Sequence, residues 1–110
     1  TKDVLIAMQD DAGIPLKSLK VDGGASANNY LMQFQANILN TIVERPKITE
    51  TTVMGAAYLA GICVGLWKQE DIILHRKIDK TFSTEISSEK RDRLYKNWLK
   101  ALERTKNWVD

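Results

Sequence analysis

Residues 21–40 read VDGGASANNYLMQFQANILN, and the hydrophobic period changes inside them. Just upstream, Leu16, Leu19 and Val21 are interleaved with Lys17, Ser18 and Lys20. A short alternating run, bounded by Pro15 and by the Gly23-Gly24 pair, predicts a strand. From Ala27 to Asn40 the spacing becomes helical. Leu31, Phe34 and Ile38 form one stripe with Met32 and Leu39 beside it, as in an amphipathic helix of about four turns. Thr41 to Glu44 gives a second short strand, stopped by Pro46, which has no amide hydrogen to donate to a ladder. Strand, helix and strand in so few residues make a βαβ unit, which implies parallel strands and a right-handed crossover. The fold class is α/β, too short for a complete doubly wound sheet.

Outward from this unit the pattern is mostly helical. Thr52 to Leu66 reads as a helix, capped by Thr49 or Thr51, with Glu50 at the positive end of its dipole. Ala57, Gly61 and Gly65 recur four apart on one side, which predicts close packing of that helix on the sheet. Lys68 to Ser88 has no clean turn signal; Ile72, Ile73, Ile78, Phe82 and Ile86 suggest extended segments there. Ser87 to Val109 is the strongest helix. It is capped by Ser87 or Ser88, lined by Leu94, Trp98, Ala101, Leu102 and Trp108 or Val109, and basic on its other side. We read it as the closing helix of a domain whose Lys and Arg stems cover apolar surface. At the other end TKDVLIAMQDDAG has Val4, Leu5 and Met8 at helical spacing, ended by Gly13 and Pro15. A helix met without a lead-in suggests a piece of a longer chain, or one trimmed at its start.

Composition limits the function. The chain has 110 residues, 44% of them hydrophobic, with 16 basic and 14 acidic residues and a net charge of +2. That is an ordinary globular composition. So even a charge balance gives no long-range field of the kind that steers a protein to nucleic acid, and no nucleic-acid partner is expected. No apolar run reaches the ~20 residues of a membrane helix, and cytoplasm is the default expectation. Cys63 is the only cysteine and His75 the only histidine. Neither a disulfide nor a zinc site can be assembled from them, and His75 is read as a surface residue. Asp22 and Glu44 are assigned no catalytic role.

The chemistry is concentrated in VDGGASANN, residues 21–29. Gly23 and Gly24 remove the side chains that would hold a ligand away from the backbone. Amides of the following helical turn point outward at the positive end of the helix dipole, a ready site for phosphate. Asn28, in the first turn, can both donate and accept, as an adenine edge or ribose hydroxyl requires. The same residues could instead be a simple turn and helix cap, with Ser26 and Asn28 as the capping side chains. The dinucleotide GxGxxG fingerprint and the P-loop GxxxxGK are both absent, which disfavours a dehydrogenase and a P-loop NTPase.

Three features together, DGGxxxNN at Asp22–Asn29, LMQFQAxIL at Leu31–Leu39 and ERPxxxETTxxGAA at Glu44–Ala57, resemble the glycerol kinase branch of the FGGY carbohydrate kinases. The resemblance covers Thr1 to about Trp67, and the closing helix fits as well. It implies that residues 1–110 form the C-terminal, nucleotide-side part of the second kinase domain. That domain is ribonuclease-H-like and resembles the actin-like ATPases. The resemblance further implies transfer of the γ-phosphoryl group of ATP to glycerol. On it, Gly24 corresponds to the glycine whose backbone meets the ADP phosphates and Asn28 to the asparagine at the adenosine end. Gly23 and Ala25 flank that contact and shape the loop. The catalytic aspartate, the glycerol site and the Mg2+ carboxylates of the family fall outside this chain, so no catalytic or metal-binding residue is expected in it. A homo-oligomeric parent is also implied. The competing expectations are an actin-like assembly module without kinase activity, and a kinase of another FGGY sugar.

Overall fold

A computed structural model describes residues 1–75 and 77–107, with the side chains of residues 73–75 outside the description. The surface placement of His75 and the lining role of Trp108 and Val109 therefore lie outside the described residues. The elements run α1 (Lys2–Ala12), β1 (Ser18–Lys20), a 3-10 turn (Gly24–Ala27), α2 (Asn29–Leu39), β2 (Ile42–Pro46), α3 (Thr51–Cys63), α4 (Gln69–His75), β3 (Ile78–Phe82) and α5 (Ser88–Glu103).

The βαβ unit forms as its sequence requires. β1 and β2 pair in parallel, Leu19 opposite Val43, with α2 as the crossover. The sheet is mixed, because β3 adds antiparallel to the other edge of β2, Val43 opposite Phe82. The β2–β3 ladder is irregular between Arg45 and Pro46, where proline has no amide to donate.

α2 covers one side of the sheet. Met32, Ala36, Val43 and Phe82 are buried together, with Leu19, Val21 and Leu31 packed against them. The contact stripe is therefore Met32–Ala36, one position away from the Leu31–Phe34–Ile38 stripe expected from spacing, and Phe34 is 40% exposed. Ala36 at the contact lets the helix backbone approach three short strands. Because strand side chains alternate, Lys20, Ile42 and Thr81 occupy the opposite side, and all three are exposed.

Residues 68–88 hold a helix and a strand, not extended segments alone. α3 also departs from expectation. Val53 is 65% and Leu59 71% exposed, and Ala57 is exposed too, so its small residues do not seat it on the sheet. Gly61 instead receives the Trp67 ring, where an added Cβ would lie 2.2 Å from the ring. Gly65 takes the left-handed φ of 75° that lets the chain fold back. Tyr58 meets Trp67 edge-on at 5.4 Å.

α5 starts at Ser87, whose hydroxyl accepts from the Lys90 amide at 3.3 Å. It is tied to α2 by Arg91 on the Asn40 side chain, 3.1 Å. It is tied to α1 by Tyr95 and Trp98, which donate to Asp3 at 2.5 and 2.9 Å. The Tyr95 and Trp98 bonds hold the Asp3 carboxyl below its usual range, and the bond to Asp3 pushes the Tyr95 hydroxyl up. Among the described residues, no helix is long and apolar enough to cross a membrane.

Candidate functional site

The loop between β1 and α2 has a more definite build than a glycine-rich link. Val21 N–H continues the parallel ladder to Glu44 O at 3.1 Å, and Gly23 N–H reaches Thr49 O at 2.8 Å. The Thr51 hydroxyl donates to the Asp22 carboxylate. The DGG and ETT motifs, about thirty residues apart in sequence, are thus adjoining ends of two neighbouring connections. Thr51 spends its hydroxyl on this link. The N-cap of α3 is Glu50, without a side-chain cap bond, which corrects the expected threonine cap.

Gly23 has φ 76° and ψ 169°, a region essentially closed to residues with a Cβ. Its carbonyl accepts from both the Ser26 amide (3.0 Å) and the Ser26 hydroxyl (2.7 Å). Ser26, 1% exposed, thereby winds Gly24–Ala27 into a 3-10 turn. This turn stands between the Gly23 bend and α2, so α2 begins at Asn29 and not at Ala27 as the spacing suggested. Asn28 precedes the helix as its N-cap, with Oδ1 accepting from Leu31 N–H at 3.1 Å. The capping role weighed for Asn28 is real. It uses the carboxamide oxygen and leaves the NH2 group as the donor with which a ligand could be met.

Gly24, Ala25 and Asn28 are all exposed along one short rim, and Gly23 is half-buried behind them. An ideal Cβ at Gly24 would find nothing within 4 Å. The space in front of this backbone is open, as an anion contact requires. A shallow cavity of about 280 Å³ beside the rim is lined by Lys20, Asp22, Ala25 and Ser26 among others. The larger cavity, about 660 Å³, lies elsewhere, between β2 and α3, lined by Pro46, Met54, Tyr58, Ile72 and Ile78 with Lys47 and Lys77. It touches none of the four loop residues.

Arg45 is the residue that sequence reading missed. Its guanidinium meets Asp79 at 2.7 Å on one edge and, through NH1, reaches Ser26 O, Ala27 O and Asn29 Oδ1 at 3.0, 3.2 and 2.9 Å. It stands inside the ERP motif, but its partners lie on three other segments, so no local pattern announces the role. Among the described residues, no group of three or more His, Cys, Asp or Glu side chains could hold a metal ion.

Known proteins resemble this chain in sequence and in fold. Residues 1–64 match the profile of the FGGY family of carbohydrate kinases, C-terminal domain. The glycerol kinase of Caldanaerobacter subterraneus subsp. tengcongensis is 56% identical over the whole of this chain, which spans 22% of that enzyme. Plasmodium falciparum glycerol kinase, solved with ADP, superposes with a TM-score of 0.80 at 36% identity over 98% of this chain and 22% of its own. A xylulose kinase from Lactobacillus acidophilus shares the fold, at a TM-score of 0.61 and 22% identity over 80% of this chain and 19% of its own. The chain thus spans about a fifth of the relatives it matches. With the DGG turn, the parallel βαβ unit and the ETT connection joined as described, it belongs to the FGGY family of carbohydrate kinases, as part of the C-terminal domain.

Proposed function

We infer that this chain is the nucleotide-side segment of a glycerol kinase, which transfers the γ-phosphoryl group of ATP to glycerol to give glycerol 3-phosphate. The observation that carries the reading is the open rim at Gly24, in a chain whose structural neighbour was solved with ADP. The whole of residues 1–110 is assigned to one ribonuclease-H-like, actin-like domain of the parent, and the exposed side of the sheet is where the rest of that domain packs.

In this reading the Gly24 backbone lies against the ADP phosphates, and Asn28 donates its NH2 to the adenosine end. Gly23 and Ala25 set the curvature between them. ATP supplies the phosphoryl group. Transfer depends on alignment and on stabilising charge over the transferred group, and this chain's share is to bind and orient the nucleotide. The Mg2+ that accompanies ATP would be held by carboxylates in other parts of the parent. Glycerol and the catalytic carboxylate belong to other parts of the parent.

The test is a coupled assay on the full-length protein that carries this segment. Glycerol-dependent ADP release is expected there, with none from residues 1–110 alone. Turnover by the segment alone, or a full-length protein that turns over xylulose but not glycerol, would overturn the assignment.

A further inference from the structure

We propose that Arg45, braced by Asp79, is the positioning residue of the nucleotide loop. It fixes the carbonyls of Ser26 and Ala27 so that Gly24 and Asn28 face one ligand together. The inference rests on the nucleotide reading above and adds to it a residue in contact with neither end of the nucleotide.

The loop between Gly23 and Asn28 is held from two sides. On the inner side Ser26 binds the Gly23 carbonyl twice, through its amide and its hydroxyl. That fixes the shape of the turn but not its orientation on the sheet. At its start the loop is oriented by the Gly23 N–H bond to Thr49 O and the Thr51 bond to Asp22; at its far end orientation comes from Arg45, whose side chain is only 12% exposed and whose backbone is paired in β2 against β3. One edge of the guanidinium is anchored to the Asp79 carboxylate, Nε at 2.9 Å and NH2 at 2.7 Å. The remaining nitrogen, NH1, is shared by Ser26 O, Ala27 O and the Asn29 side chain. The Phe82 ring lies 5.5 Å from the guanidinium carbon and limits its swing. These acceptors bracket Asn28 in sequence, so a shift of the guanidinium moves both the N-cap of α2 and the turn that opens at Gly24.

The geometry calls for arginine. A planar fork can bind a carboxylate along one edge while donating from another nitrogen in a fixed direction. A lysine ammonium is a point charge on a flexible stem, and would satisfy Asp79 or the loop carbonyls but not hold both in one arrangement.

The experiment uses the full-length protein with Arg45→Lys, Arg45→Ala, Asp79→Asn and Asn28→Ala. It measures ADP affinity by calorimetry, KM for ATP and for glycerol, and amide exchange across residues 23–29 without nucleotide. Asp79 is 46% exposed, so Asp79→Asn probes the brace even if Arg45→Ala folds poorly. Arg45→Lys is expected to speed exchange in the loop and raise KM for ATP by roughly tenfold, the scale of a lost charge-assisted hydrogen bond, with KM for glycerol unchanged. Asp79→Asn is expected to do the same more weakly. If Asn28→Ala weakens ADP while Arg45→Lys leaves both ADP affinity and loop exchange at wild type, the positioning role is wrong and the nucleotide reading survives. If neither Asn28→Ala nor any Arg45 variant changes ADP affinity, both fall together.

Discussion

The glycine pair separates backbone geometry from ligand clearance, because its two members differ in both. Gly23 sits at φ 76° and ψ 169°, so Gly23→Ala must either strain the backbone, at about 1–3 kcal/mol, or rearrange the turn. Gly24 has no left-handed φ, and a Cβ there meets nothing in this chain within 4 Å. Gly24→Ala should therefore change folding stability by no more than about 0.5 kcal/mol, as for an unconstrained surface site. If phosphates lie against that backbone, the methyl group occupies their space. Overpacking of one such group costs about 1–3 kcal/mol, which is roughly 5- to 150-fold in affinity. The assay is ADP calorimetry on the full-length protein, with thermal unfolding as the control. Gly24→Ala should lose ADP affinity at an unchanged melting temperature, whereas Gly23→Ala should lose both. A Gly24→Ala protein that binds ADP as tightly as wild type would refute the reasoning, since the open rim would then face no ligand.

Two further outcomes follow from the same geometry. Asn28→Ala removes a helix cap worth about 1 kcal/mol and a ligand hydrogen bond worth roughly 1–2 kcal/mol, so both stability and ADP affinity should fall. Asn28→Asp keeps the acceptor for Leu31 N–H but not the NH2 donor, so only ADP affinity should fall; equal ADP binding by wild type and Asn28→Asp would count against the adenosine contact. The α1–α5 junction should also respond to pH. The Asp3 pKa is lowered by donation from Tyr95 and then Trp98. Its stabilising contribution is thus in place above the ordinary carboxylate value of 3.8 and is lost as pH falls through the lower folded value. Protection of the α1 amides, taken relative to their intrinsic exchange rate at each pH, should fall below about pH 4; the same loss in Asp3→Asn would show that this carboxylate is not responsible.

What could be read in the sequence was local. Strand, turn, helix and strand between Leu16 and Glu44 each carry their signal within a few residues, and the parallel direction of β1 and β2 follows from the helical crossover. β3 was legible only as extended structure at Ile78 and Phe82; its bounds and its partner were not, because Phe82 is its single buried residue and no alternation marks it. Its partner strand lies more than thirty residues upstream. The spacing of Ala57, Gly61 and Gly65 was visible but its cause was not, since the ring that requires Gly61 belongs to Trp67, beyond the end of α3. At the site, the residue types were legible and the geometry was not. Ser26 inserts the 3-10 turn by a side-chain bond to Gly23 O, and Arg45 acts through acceptors 16 to 34 residues away in sequence. Hydrogen bonds of that reach have no periodicity to detect.

The antiparallel strand sets where this domain can be cut. The family profile stops at residue 64, yet Phe82 closes the core over Val43 and Asp79 anchors Arg45. A truncation placed at the profile's edge would leave β2 with a free row of backbone donors and acceptors beside an uncovered apolar patch. Strand edges of that kind recruit other chains. Such a product would be expected to aggregate, while one carried past Phe82 keeps its edge satisfied.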